Sequence, residues 1–136
     1  MKIVIGDPKT AKSYQTELAK DKESLVFGKH IGDEIDGSLI GAAGYKLKMT
    51  GGSDKNGFPM KADVSGMSKK KLVLSKGIGF RNAKRGEMKK KMIRGGTISD
   101  ETAQISVVII EAGPSQLDQL FPKSEKAGEE KKGKKK

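Results

Sequence analysis

The chain has 136 residues, a mass of 14.6 kDa, 34% hydrophobic and 33% charged residues, and only two Tyr and four Phe as aromatics; that is one domain's worth of sequence, able to bury one small core but no deep cavity lined by large side chains. No stretch approaches the ~20 apolar residues of a membrane-spanning helix, the opening Met1–Pro8 is cut short by Gly6, Asp7 and Pro8 and is no secretory signal, and the absence of Cys excludes disulfides and thiolate metal sites and fits a reducing cytoplasm. The net charge of +11 is concentrated: residues 61–95 carry twelve basic residues, including all three arginines, against two acids, whereas residues 96–122 carry four acids and no basic residue.

Most of the chain reads with a period of two. Ile3-Val4-Ile5 is a short apolar run. Tyr14, Thr16 and Leu18 alternate with Ser13, Gln15 and Glu17, the pattern of a half-buried strand. Leu25-Val26-Phe27 follows the charged Asp21-Lys22-Glu23 and fits either a short helix capped by Asp21 or a strand. Five glycines between 28 and 44 argue against any long helix there. Tyr45, Leu47 and Met49 alternate with Lys46, Lys48 and Thr50 as an amphipathic strand, and residues 51–60 then read as a loop.

The basic half is less regular. Leu72-Val73-Leu74 after Lys69-Lys70-Lys71 predicts a strand with a basic approach, and residues 76–87 predict a Gly- and Lys/Arg-rich loop. Residues 88–94 are charged on both faces, so a strand there would be an exposed ribbon and not a central strand. Ile105–Ile110 is the strongest strand, apolar on both faces and stopped by Gly113-Pro114. Ser115 can cap one short turn carrying Leu117, Leu120 and Phe121. From Lys123 onward no large apolar residue occurs, so residues 123–136 are expected to be a disordered Lys/Glu-rich tail behind a single β-rich domain of residues 1–122. The fold class expected is mainly β: a small antiparallel barrel or curled sheet of about six short strands, with one short C-terminal helical turn.

Enzyme signatures are weak. His30, the only histidine, lies near Asp33, Glu34 and Asp36, which would suit a nuclease or a metal site, but the spacing matches no familiar ligand set. Neither a nucleophile elbow nor a P-loop is present, and Asp54-Lys55-Asn56-Gly57 lacks the repeated carboxylates of a calcium loop. No metal, cofactor or small-molecule substrate is expected.

Polyanion binding is the stronger reading. Lys69, Lys70 and Lys71, then Lys76, Arg81, Lys84 and Arg85, then Lys89, Lys90, Lys91 and Arg94 form basic clusters separated by glycines. Lysine supplies point charge, arginine forks onto phosphate pairs, and glycine permits close approach. Adjacent lysines on a strand face opposite ways, so one run can touch two backbone segments. Six to eight phosphate contacts would give a log–log salt slope on the order of −5 to −7. With only Phe80 as an aromatic in the segment, backbone and shape recognition is favoured over reading of splayed bases. In the 51–60 loop, Gly51, Gly52 and Gly57 permit positive φ and close backbone approach, Asp54 can cap its own turn, and Lys55 can contact phosphate. Phe58 can plug the core or stack on an unpaired base.

The run Met49-Thr50-Gly51-Gly52-Ser53-Asp54-Lys55-Asn56-Gly57-Phe58-Pro59-Met60 resembles the signature of the archaeal and eukaryotic small-subunit ribosomal protein six family, which is unrelated to its bacterial namesake: aliphatic, small, Gly-Gly, any, Asp, any two, Gly, any, Pro-Met. Leu74-Ser75-Lys76-Gly77, and Arg85-Gly86-Glu87 leading through Lys89-Lys90-Lys91 to Arg94-Gly95, resemble the same family in order and spacing. The resemblance spans roughly residues 1–113. It implies a β-rich, non-catalytic structural protein in the body of the small subunit, with rRNA and neighbouring ribosomal proteins as partners. Eukaryotic members carry a long basic C-terminal helix with phosphorylated serines; this sequence has only a short Lys/Glu tail with Ser124, which points to the archaeal form and gives no ground for phospho-regulation. The rival readings are a free-standing RNA chaperone or nucleic-acid coating protein and, in a different class, a nuclease using His30 with Asp33 or Asp36. Neutralising Arg81, Arg85 and Arg94 together is expected to weaken RNA binding without unfolding the core.

Overall fold

A computed structural model describes residues 1–113 and 117–121. The expected tail at 123–136 and the Ser115 cap lie outside the described residues. The elements are β1 (Lys2–Asp7), β2 (Lys12–Glu17), α1 (Lys20–Glu23), β3 (Glu34–Asp36), a 3-10 turn (Gly37–Ile40), β4 (Lys46–Asp54), β5 (Lys69–Leu74), β6 (Lys89–Arg94), β7 (Thr102–Glu111) and α2 (Leu117–Leu120). No described helix is long and apolar enough to cross a membrane.

Five strands form one sheet in the order β2-β1-β7-β4-β3, and β5 and β6 form a separate two-stranded ribbon. The mainly β expectation holds, but the sheet does not close into a barrel and is not wholly antiparallel. β7 lies at its centre, antiparallel to β4 and parallel to β1, with Ile3 opposite Ile105 and Ile5 opposite Val107. A parallel pair needs a long crossover, and here nearly the whole chain between β1 and β7 supplies it.

One face of the sheet is the core. Ile3 and Ile5, Tyr14, Ile35, Leu47 and Met49, and Ile105, Val107 and Ile109 all point inward at period two and are buried together with Leu18, Val26, Ala42, Met60, Ile98 and Leu117. The other face keeps Lys46, Lys48 and Thr50 in solvent. This alternation is what made β1, β2 and β4 legible. β7 was legible for a different reason: with neighbours on both sides, its outward Ser106 and Val108 are also half-covered.

Three local expectations change. Residues 20–23 form a single helical turn, but its N-cap is Ala19 with no side-chain cap bond, and of Leu25, Val26 and Phe27 only Val26 is buried. β4 continues through Gly51 and Gly52 to Asp54, so the loop is confined to residues 55–58. Register shifts along the β4–β7 pair, one of them at Thr50, bend the strand as bulges do. β3 was not foreseen, since three residues between glycine-rich turns give too short a pattern; it pairs at the edge of β4, with Ile35 turned inward.

The ribbon has its own small core. Leu74, Ile93, Val64 and Phe80 are buried together, with Ala83 against them. Gly77 and Phe80 bond each other's backbones in both directions, at 3.0 Å each, which folds the β5–β6 connection back and sets Phe80 beneath the ribbon.

Candidate nucleic-acid interface

The 50s segment joins sheet to ribbon. A Cβ at Gly52 would collide with the carbonyl oxygen of Gln104, and the Met60 sulfur lies 3.2 Å from that position. Glycine is therefore needed here for close approach and not for its φ; within the segment only Gly57 has a positive φ, +80°. Met60 N–H donates to the Gly52 carbonyl and Arg94 N–H to the Pro59 carbonyl, and Met60 pairs with Arg94 as a parallel bridge. The chain from Gly52 to Met60 thus leaves the sheet, turns, and ties down the end of β6.

That junction is locked by charge. Asp54 is 3% exposed and Arg94 2%. Arg94 Nη1 donates to Asp54 Oδ2 at 2.8 Å and to Glu101 Oε2 at 2.7 Å, and Nη2 donates to the Ser99 hydroxyl. Lys69 Nζ lies 3.0 Å from the same Asp54 oxygen and 3.6 Å from Glu101. Burial alone would raise the Asp54 pKa, but the bonds from Lys69 and Arg94 outweigh it and hold the carboxyl below its ordinary value. Glu101 is held low mainly by the Arg94 bond. Burial would lower the Arg94 pKa, but the bonds to Glu101 and Asp54 raise it. Asp54 does not cap its own turn, as expected from sequence. It is the counter-charge of a buried arginine.

Two of the expected contact residues therefore change role. Arg94 is sealed within the protein and cannot fork onto a phosphate, because both its terminal nitrogens are already bonded inside. Lys69 is largely turned to Asp54 and Glu101. The burial of Arg94 against Asp54 argues that neutralising it, unlike Arg81 and Arg85, costs the fold. Its burial was hidden in the sequence, where it ends a run that otherwise reads as exposed.

The remaining cations divide between the ribbon and its connection. On one ribbon face Lys91 Nζ stands 4.7 Å and Lys89 Nζ 5.7 Å from the centre of the Phe80 ring, close enough for cation–π attraction. Lys70 Nζ is held by the Ser65 carbonyl at 3.2 Å. The opposite face pairs Lys71 with Met92 and Val73 with Lys90. All four are exposed, Val73 by 55%. The two lysines occupy diagonal corners, with aliphatic surface between them. Lys76, Arg81, Lys84 and Arg85 are exposed along the connection. Lys55 is exposed at the β4 turn, where its amide bonds the Glu101 carbonyl, and so lies on the sheet side. Phe58 is half-buried and outside both buried clusters.

The acidic group near His30 has a structural job. Asp33 Oδ2 accepts from the His30 amide at 2.7 Å, and the Asp33 amide donates to the His30 carbonyl, closing a turn. The His30 ring bonds the Ile31 carbonyl through Nδ1 at 2.9 Å and packs against Gly96. Among the described residues no group of three or more potential ligands could hold a metal ion.

Comparison with known proteins matches residues 1–122 to a family described as Ribosomal protein S6e. Proteins named small ribosomal subunit protein eS6 are similar over nearly the whole chain. That of Methanoregula boonei is 43% identical over 134 residues, covering 98% of this chain and 92% of the relative. That of Methanothermobacter thermautotrophicus is 48% identical over 120 residues, covering 88% and 94%. That of Archaeoglobus fulgidus is 39% identical over 125 residues, covering 91% and 97%.

Proposed function

This chain belongs to the ribosomal protein S6e family, and from that membership we propose that it is a structural, non-enzymatic constituent of the small subunit of the cytoplasmic ribosome, in which residues 1–122 act as one rRNA-binding unit alongside neighbouring ribosomal proteins. The observation that carries the binding mode is the separation of labour within the basic segment. Arg94 and Lys69 hold the ribbon to the sheet. Lys70, Lys71, Lys89, Lys90 and Lys91 on the ribbon, and Lys76, Arg81, Lys84 and Arg85 on its connection, contact the phosphate backbone. The sheet keeps these cations in register, and Lys55 adds a contact at its edge. Lysines on both ribbon faces bridge two backbone segments and screen the repulsion between them.

With Arg94 and Lys69 engaged internally, about six direct phosphate contacts among these ten cations give a log–log salt slope of about −4 to −5. The test is sedimentation of cell extract through a gradient at low and then high salt. Retention on the small subunit until salt is high supports residence there. Release as free protein, or spreading over all RNA at moderate salt, would replace it with the chaperone reading.

A further inference from the structure

Glu87 is the only acid between residues 64 and 99, a stretch with eleven basic residues. On charge alone it opposes polyanion binding. Its contacts explain its place. The Glu87 amide donates to the Lys84 carbonyl at 3.1 Å, and the Lys84 amide donates back to Glu87 Oε2 at 2.9 Å. Glu87 Oε1 lies 2.8 Å from Lys89 Nζ, on the first residue of β6. One carboxylate therefore closes the turn Lys84-Arg85-Gly86-Glu87 on itself and fastens it to the ribbon.

Gly86 has φ +80° and Arg85 is not among the residues of positive φ. This is the type II arrangement, with Arg85 and Gly86 at its corner. Arg85 is exposed and makes no ion pair or hydrogen bond among the described residues. A guanidinium on a turn closed in this way loses less freedom when it binds than one on a loose loop.

We infer that Glu87 is a positioning residue for RNA: it holds the 84–87 turn so that Arg85 meets a pair of phosphate oxygens on the rRNA backbone with its fork already placed. This rests on the rRNA-binding reading above. It reverses the sign that simple charge counting gives. Removing the carboxylate adds one net positive charge and still weakens binding to folded RNA, because the ordered presentation of Arg85 is lost.

The experiment measures binding of the full chain to folded small-subunit rRNA and to polyuridine at fixed salt, for the wild type, Glu87→Gln, Arg85→Gln, the Glu87→Gln/Arg85→Gln pair and Lys71→Gln/Lys90→Gln. Thermal melts check that each variant is folded. Glu87→Gln should weaken rRNA binding by roughly five- to tenfold, the worth of one charge-assisted forked contact. It should not weaken rRNA binding further once Arg85 is Gln, and it should tighten polyuridine binding. Tighter rRNA binding by Glu87→Gln would overturn the inference, as would an equal loss with or without Arg85. If Lys71→Gln/Lys90→Gln also leaves rRNA affinity unchanged, the rRNA reading itself falls. If that pair weakens binding while Glu87→Gln tightens it, only the role of Glu87 falls.

Discussion

Arg94 and Lys71 are both basic residues in the same ribbon, yet they do opposite things. Arg94 is buried against Asp54, and breaking such a pair leaves an uncompensated charge in the interior. Arg94→Ala or Asp54→Asn should lower unfolding free energy by about 3–5 kcal/mol, read by urea denaturation at neutral pH. The pH dependence follows from Asp54. Its folded pKa lies below the unfolded value, so its contribution is present above the ordinary carboxylate range and is lost as pH falls through the depressed value. Acidification below about pH 4 should destabilise the wild type more steeply than Asp54→Asn. Gly52 is the other residue with no substitute. Gly52→Ala drives a Cβ into the Gln104 carbonyl and should cost about 1–3 kcal/mol, seen as a lower melting temperature. The importance of Gly52 was legible in the sequence, with close approach and positive φ both open as its reason; the structure shows close approach. A Gly-Gly pair allows positive φ or close backbone approach alike, and which of the two a position uses depends on what lies across the sheet, which no local pattern reports. Arg94 was misread for the same cause: its partner Asp54 is forty positions away.

At the scale of elements, period-two alternation exposed the strands that have one wet face and one dry face. It failed for β6, whose burial is confined to Ile93 and Arg94 at the end nearest the sheet. It failed also for the far half of β4, where Gly51 and Gly52 contribute no side chain to a pattern. The ribbon was nonetheless foreseeable as exposed, because Lys89-Lys90-Lys91 puts charge on both faces. Its function should separate cleanly from its stability. Lys71→Gln and Lys90→Gln lie on the exposed face, so each should reduce the salt slope for rRNA by about 1 and leave the melting temperature unchanged within a degree or so. The basic segment itself was plain from charge counting. Its internal division, with Lys69 and Arg94 as fasteners and the other cations from Lys70 to Lys91 exposed, depends on tertiary placement.

For the whole molecule, a five-stranded sheet and a two-stranded ribbon carry buried clusters of very different size, sixteen against four among the described residues. A lone two-stranded ribbon is marginal in water. The ribbon depends on its attachment at Asp54, Met60 and Arg94. Amide hydrogen exchange on the free protein should therefore show the slowest amides in β1, β4 and β7, with faster exchange in β5 and β6. Binding of rRNA should slow the ribbon amides most. Equal protection of ribbon and sheet in the free protein would show that the attachment is as strong as the main core.

The place of β7 also governs when the molecule can exist. Among the described residues it is the last strand and the central strand of the sheet, and it holds β1 on one side and β4 on the other. During synthesis β1 and β2 can form only a hairpin, and β4 must wait with β3. The two parts stay separate until residues 102–111 have emerged. The β5–β6 ribbon pairs locally, but Ser99 and Glu101, which hold its Arg94, arrive only just ahead of β7. The basic residues of 69–94 are thus synthesised before the sheet can close, and such long-range closure is slow by nature. Order of synthesis puts the charged segment ahead of the strand that completes the fold.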